Sequence, residues 1–320
     1  LLSFDEETLN KFDVIIIDED IILKGFLPNQ VEMEISELKE VAKETTNSVL
    51  KNKIHQVLKA VKTKTMFTLP PVFWDNKEDG DGISTGIDIP SFCSATKFYY
   101  RKAAKEKNLS EDTLVFIKPV KLKKNVKYIM VSATVDEEIC DYYFGADRVE
   151  FSECKTAAYT GTLVQYPELS MSRTCIDNHE GIIEKIKRWS GFENTITFMK
   201  YSLGPLHFGN TEGSNSMAGE NIDVIGTPYE AEFLYKLAAY TLGLNFDMNA
   251  EMKPQIVNHN GFTFRFTTYE DEALRDMQFW MIESELEQAV GRARLLRYDC
   301  KVNLFSNFPL RQAELRESEY

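Results

Sequence analysis

Val14, Ile15, Ile16 and Ile17 are four β-branched residues in a row, and the run closes on Asp18, Glu19 and Asp20. A short, unbroken apolar run of this kind predicts a strand buried on both faces, as in a parallel sheet, because a strand with one wet face would alternate. The acids then fall at the strand's carboxyl end, the edge where open α/β sheets bind ligands. A strand entering a polar loop reads the same way, so other segments have to decide between a site and a turn.

Two segments do so. A second apolar strand, Tyr128-Ile129-Met130-Val131, runs into Ser132-Ala133-Thr134. Near the end of the chain stands Gln288-Ala289-Val290-Gly291-Arg292-Ala293-Arg294-Leu295-Leu296-Arg297. In this order, the acidic strand end, the Ser-Ala-Thr strand end and the Gln-x-x-Gly-Arg-x-Arg segment resemble motifs II, III and VI of superfamily 2 helicases and translocases. The arginine at the sixth place after Gln288 looks more like the Dicer and innate RNA-sensor branch than the DEAD-box pattern, which has its arginine at the seventh. Leu295 holds the seventh place here, so which second arginine faces the nucleotide stays open. Residues 208–215, ending in Gly213, Ser214 and Asn215, resemble motif V, which in the family touches both nucleic acid and nucleotide. A Gly/Asn/Ser loop is equally what an ordinary turn looks like.

The resemblance implies an α/β fold of two RecA-like parallel-sheet domains, the first truncated at its N-terminus and carrying a mainly helical insertion. Residues 1–150 would form the first domain and 151–320 the second. ATP and Mg²⁺ are the implied cofactors, bound between the domains. Asp18 would hold Mg²⁺ through water, and Glu19 would position or activate the attacking water. Gln288, Arg292 and Arg294 would meet the nucleotide from the other domain, with Gly291 and Arg297 beside it. Arginine suits that role because it is always charged and its planar fork matches phosphate oxygens. Ser132, Ala133 and Thr134 would couple nucleotide state to domain closure. The implied partners are nucleic acid, DNA ahead of RNA, and replication or repair proteins. No Gly-Lys-Ser/Thr phosphate loop occurs in the chain; it would lie upstream of Leu1, so the chain reads as a piece of a longer protein, inactive in ATP hydrolysis by itself.

Composition sets the outer limits. With 320 residues, 43% of them hydrophobic, the chain can build two real cores. It has no apolar run able to span a bilayer and no signal peptide, which predicts a soluble, intracellular, cytoplasmic protein with no membrane partner. Its five cysteines include no C-x-x-C pair, which argues against zinc and against a disulfide framework. Iron–sulfur helicases carry four cysteines between motif II and the later part of the first domain; here Cys93 alone falls between Asp18 and Ser132. A net charge of −13 is unhelpful to a nucleic-acid binder, but steering depends on the local field. Residues 101–127 hold nine basic against three acidic residues. Lys118, Lys121, Lys123, Lys124 and Lys127 are therefore the candidate backbone-contacting surface, with a solvated face as the bland alternative.

The spacing predicts helix over residues 35–61 with an interruption at 45–47, then breakers at Pro70-Pro71 and in the acidic loop 75–82. A helical stretch over 91–107 and a strand over 114–117 follow, so residues 30–112 read as an inserted subdomain. Gly82 to Gly86 match G-x-S-x-G without the strand and helix a nucleophile elbow needs, and are set aside. Further along, the pattern predicts helix over 136–144 and 181–189, strands over 195–199 and 223–226, a long helix after Pro228, a helix over 270–297 and a strand over 301–305. Gly291 would then fall inside a helix, at a cost of about 1 kcal/mol relative to Ala, which suggests a close backbone approach. Ser132 and Thr134 are also what the cap of a following helix looks like. Two other classes fit part of this pattern: a non-catalytic α/β scaffold or regulatory module, and a P-loop ATPase acting on proteins, which would not need the basic stretch.

Overall fold

The computed structural model describes residues 11–74, 86–104, 109–118, 122–123, 126–202, 204–211 and 213–318. The chain divides into two compact units, Leu1–Tyr143 with Tyr240–Leu244, and Phe144–Ala239 with Asn245–Tyr320. The class is α/β, with parallel strands in each unit, consistent with RecA-like domains.

In the first unit, β1 (Val14–Asp18) pairs in parallel with β6 (Lys127–Val131). Full burial of β1 is not what the structure has. Ile16 is 69% exposed, Val131 is 55% exposed, and Val14 and Ile129 lie on the same open face. The two-residue alternation of a strand puts Ile15 and Ile17 on the other, half-buried face.

Between these strands runs a subdomain whose helices outweigh its strands but which also contains an antiparallel sheet, unread in the sequence. Its order is β2 (Gln30–Glu34), β5 (Thr113–Ile117), β4 (Lys97–Arg101), β3 (Met66–Thr68). β5, read as a strand after the insertion, is buried at all five residues and lies inside this sheet between β2 and β4. The expected helix over 91–107 is instead a short helix, α3 (Ile89–Ser94), followed by β4. Lys97-Phe98-Tyr99-Tyr100 favours a strand because Phe98 packs inward against Phe67, Phe92 and Phe116 while aromatic neighbours suit a pleated surface. The stripe over 35–61 folds as α1 (Ile35–Glu44) and α2 (Ser48–Ala60), broken where its spacing broke. Asn47 caps α2, accepting from the N–H groups of Val49 and Leu50 at 3.0 Å each.

One buried cation ties this subdomain together. Lys53 on α2 is 1% exposed and donates to the carbonyls of Cys93 (2.6 Å), Ala95 (2.7 Å) and Pro70 (3.3 Å). Its ammonium also lies over the rings of Phe92 and Phe98. Burial lowers its pKa to about 8, and all three of its protons have acceptors. The chain passes from β1 into β2 through the turn after Asp20, where Ile22–Phe26 wind as a π-helical turn closed by Leu27 N–H on the Ile22 carbonyl at 2.9 Å.

The second unit is built on a five-stranded parallel sheet of order β13 (Glu314–Leu315), β7 (Thr162–Tyr166), β12 (Lys301–Phe305), β9 (Ile222–Ile225), β8 (Asn194–Ile196). Beside α5 (Arg173–Asn178), α6 (Ile182–Ser190) brings Trp189 edge-on to the stacked Tyr166 and Phe305. Ser190 Oγ donates to Asp223 Oδ2 at 2.5 Å, and Asn303 Nδ2 donates to Asp223 Oδ1 at 2.9 Å, so this buried acid on β9 is held from two sides. After Pro228 comes α7 (Glu232–Leu242), then a hairpin unread in the sequence, β10 (Lys253–His259) and β11 (Phe262–Thr268). Its turn residues Asn260 and Gly261 both have positive φ, 52° and 83°, the Asn-Gly signature of a two-residue turn. The final helix, α8 (Glu272–Val290), is capped by Asp271 on Leu274 N–H at 3.0 Å.

Replacing Lys53 by methionine keeps the stem but leaves three carbonyls without a donor. We expect Lys53→Met to cost the first unit about 3 kcal/mol in urea unfolding. An unchanged midpoint would show that the ammonium is dispensable.

Candidate functional site

The parallel register of β1 and β6 sets Asp18 opposite Val131, so Asp18 and Glu19 leave one strand beside Ser132 leaving the other. Asp18 is exposed and Glu19 half-buried. Ser132 Oγ and Thr134 Oγ1 are 3.2 Å apart, and Thr134 N–H donates back to Ser132 Oγ at 3.1 Å. Ser132-Ala133-Thr134 is thus a self-closed hydroxyl turn. The helix that follows, α4 (Glu137–Phe144), is not capped by it: Asp136 Oδ1 accepts the Ile139 N–H at 3.0 Å and does that work.

Asp20, unassigned in the sequence reading, is the most buried acid at this edge, with no exposed surface. Its Oδ1 accepts from the N–H groups of Ile22 and Leu23 at 3.1 Å each, which anchors the π-helical turn. Its Oδ2 is shielded from water and has no hydrogen-bond partner. Burial raises its pKa to about 6, and the charge of Asp136 adds to the rise. Asp20 in turn helps push the buried Cys140 thiol up to about 12, after burial itself. The turns that follow β1 and β6 therefore share one electrostatic environment. A third acid directly after an apolar strand, two and three residues ahead of the amides it caps, was the available signal.

In the second unit, residues 213–215 and 288–294 come together. Arg292 is 5% exposed; its Nε donates to the Gln288 carbonyl at 3.1 Å and its Nη1 to the Ser214 carbonyl at 3.2 Å. Arg294 Nη2 donates to Asn215 Oδ1 at 2.8 Å. Gln288 is 6% exposed, and neither its amide oxygen nor its amide nitrogen has a partner. Leaving a buried amide unpaired costs a few kcal/mol.

Two expectations about this segment need correcting. Gly291 is not inside a helix: α8 ends at Val290, residues 291–293 form a 3₁₀ turn, and Arg294 at φ 59° closes it in the left-handed region. Nor does the chain approach Gly291 closely, since a Cβ there would meet nothing within 4 Å. The close approach is at Gly161, where a Cβ would collide with the Cys300 and Tyr298 carbonyls. There, Thr160 and Gly161 N–H both donate to the Leu295 carbonyl, at 2.9 and 3.0 Å. Arg297 lies exposed on the next turn, its N–H on the Arg294 carbonyl at 2.8 Å, and among the described residues no side-chain bond joins it to the cluster.

The basic stretch is less free than its composition suggested. Lys118 pairs with Asp88 at 2.7 Å, the same carboxylate that caps α3, and Arg101 pairs with Glu32 at 3.1 Å. Lys123 is half-buried, with its backbone N–H on the Tyr128 hydroxyl at 3.0 Å, and Lys127 is exposed on β6. Lys121 and Lys124 lie outside the described residues, as do the acidic loop 75–82 and most of the G-x-S-x-G match.

Among the described residues no group of three or more His, Cys, Asp or Glu is placed to hold a metal ion. A lone exposed carboxylate such as Asp18 fits Mg²⁺, which keeps most of its waters and binds through one or two carboxylates and substrate phosphates. No helix among the described residues is long and apolar enough to cross a membrane.

No family model and no curated protein matches the chain. Among solved structures, it is similar to one titled XPD_APO, with a TM-score of 0.48 and 14% identity over 98% of this chain and 80% of that one. It is also similar to one titled XPD_Helicase, with a TM-score of 0.41 and 13% identity over 92% of this chain and 64% of that one. At this level the likeness is one of backbone architecture.

Asp20 makes stability depend on pH with a definite sign. A buried acid whose pKa is raised costs nothing while protonated, so the first unit should lose stability as pH rises from about 4 to 6, by roughly 3 kcal/mol. Asp20→Asn keeps the Oδ1 cap and should flatten that slope in thermal melts; an unaltered slope would assign it to other groups.

Proposed function

We propose that this chain forms the nucleotide-hydrolysing core of an ATP-dependent helicase or translocase of the superfamily 2 type, acting on DNA ahead of RNA. The observation that carries this reading is the pairing of Arg292 with Ser214 and of Arg294 with Asn215, between segments 78 and 79 residues apart. Motif V-like and motif VI-like residues meet there around an unsatisfied Gln288 amide.

In this reading Asp18 would be the residue that holds Mg²⁺, and Glu19 the one that positions the attacking water. When bound, the ion neutralises charge on the phosphates. Arg292 and Arg294 stabilise charge on the transferred phosphoryl group, a function for which a rigid, always-charged fork is suited. Ser132, Ala133 and Thr134 relay nucleotide state, and Gly213, Ser214, Asn215, Lys123 and Lys127 face nucleic acid. A non-catalytic binding module is the second reading. The net charge of −13 and the engagement of Lys118 by Asp88 favour it.

The test is ATP hydrolysis by the natural protein that carries this chain, with and without single-stranded DNA. Glu19→Gln and Arg292→Ala should each lower the stimulated rate about 10³-fold, and Arg292→Lys should recover little because a point charge does not replace the fork. Stimulated hydrolysis that survives Arg292→Ala would sink the assignment of that arginine. A folded protein that neither hydrolyses ATP nor binds nucleic acid in a salt-dependent way would leave the second reading.

A further inference from the structure

We propose that Tyr159 and Glu287 form a proton-controlled latch that fastens the chain entering β7 onto the loop carrying Arg292 and Arg294. Residues 152–158 run exposed and without regular structure, and Tyr159 is where the chain meets the core of the second unit. Directly after it, the N–H groups of Thr160 and Gly161 both donate to the Leu295 carbonyl, and Thr160 Oγ1 donates to the Leu296 carbonyl at 3.2 Å. Leu295 is 2% exposed and follows Arg294 in the chain. Whatever seats Tyr159 therefore also seats the arginine loop. Gly161 fits too tightly against the Cys300 and Tyr298 carbonyls for the segment to shift along its track, so it is either seated or lifted.

The seat is a pair of acids on α8. Glu283 and Glu287 stand one helical turn apart, on the same face. Glu283 is engaged on both oxygens: His259 Nε2 lies 2.8 Å from its Oε2, and Asn260 Nδ2 donates to its Oε1 at 2.7 Å. Burial raises its pKa, but those hydrogen bonds and the charge of Arg311 hold it below the ordinary glutamate value, so Glu283 is a carboxylate. His259 is fixed in turn between the rings of Phe279 and Phe308, each 5.1 Å away. Beside Glu287 the hydrogen-bonding group is the Tyr159 hydroxyl. Burial, then the charge of Glu283, lifts the Glu287 pKa from its ordinary 4.5 to about 7, with Arg311 and Tyr159 offsetting only part of the rise. Burial also pushes the Tyr159 hydroxyl well up, so it stays protonated. When Glu287 ionises it becomes a second buried carboxylate one turn from the first, a costly state that water relieves. Tyr159 is the cover that can give way, because the exposed run before it has slack while α8 and the hairpin end are packed. The sign is definite: a raised carboxyl pKa favours the seated form in acid, and that preference is lost as pH rises from about 4.5 through about 7. The latch needs no nucleotide; its consequence for Arg292 and Arg294 at a phosphate rests on the proposed function.

Hydrogen exchange of the Thr160 and Gly161 amides in the whole chain, at about pH 5 and about pH 8 and corrected for intrinsic rates, reads the latch directly. Their protection should fall at least about tenfold at the higher pH, while the amides of β12 keep theirs. Glu287→Gln preserves the shape and a partner for the Tyr159 hydroxyl but cannot ionise. It should hold the protection at the higher pH at its acid level. His259→Gln keeps a donor toward Glu283 and should leave the pH response intact; a response lost in this variant would move the titration to His259 and overturn the proposal. It is equally overturned if protection at residues 160–161 is the same at both pH values, or if Glu287→Gln responds as the natural chain does. Parallel loss of protection in β12 also overturns it, since the event is then unfolding of the unit and not release of a latch. No nucleotide enters these measurements, so failure of the latch and failure of the hydrolytic reading are told apart.

Discussion

Parallel pairing is the constraint on which this molecule depends. A parallel pair cannot be closed by a tight turn, so strands that lie side by side are separated by long stretches of chain. Asp18 pairs with Val131, and Phe305 lies between Tyr166 and Ile225. Because the strands of each sheet point the same way, their carboxyl ends gather at one edge, and the polar turns that follow them gather too. In the first unit this brings the acids after β1 beside the Ser-Ala-Thr turn after β6.

Buried polar groups are held in two different ways. Lys53 is buried with three acceptors for three protons, and Asp223 is held by Ser190 and Asn303. Lys53 stiffens its unit, as a fully satisfied group does, whereas Asn303 keeps a shielded Oδ1 without a partner. At Asp20 and Gln288 the accounting stays open, with polar atoms shielded from water and bonded to nothing. Both lie in the segments that carry the acids and the arginines.

Much of the architecture was legible because it depends on period and on breakers. Of the stripe read through Leu38, Val41, Val49, Leu50, Ile54, Leu58 and Val61, Leu38, Val41, Leu50 and Ile54 end up buried and Leu58 and Val61 partly so, while Val49 is 43% exposed; its break at residues 45–47 is the place where Asn47 caps a new helix. The hairpin was missed although Asn260-Gly261 is a strong turn signal, because its strands alternate between aromatic and polar residues inside a stretch read as one long helix with accessory insertions. β4 was missed because Ser91 to Lys107 has a composition either state tolerates, and packing of Phe98 against three other rings decides it. The end of α8 was placed too late because charge and propensity continue through Arg292 and Arg294. Backbone geometry stops the helix at Gly291, where the turn toward Gly161 begins.

The candidate site divides in the same way. Residue types and their order along the chain marked the candidate groups of the proposed site: the acids after an apolar strand, the paired hydroxyls, and the Gln-x-x-Gly-Arg-x-Arg segment. Those are local properties, and one-dimensional sequence contains them. Only the tertiary structure decided that Ser214 and Asn215 take up Arg292 and Arg294, that Lys118 is neutralised by Asp88, that Asp20 is sealed from water, and that Tyr159 lies beside Glu287. Each of these depends on segments many residues apart, and which of them meet is set by the order of strands in a sheet, a property no local pattern encodes.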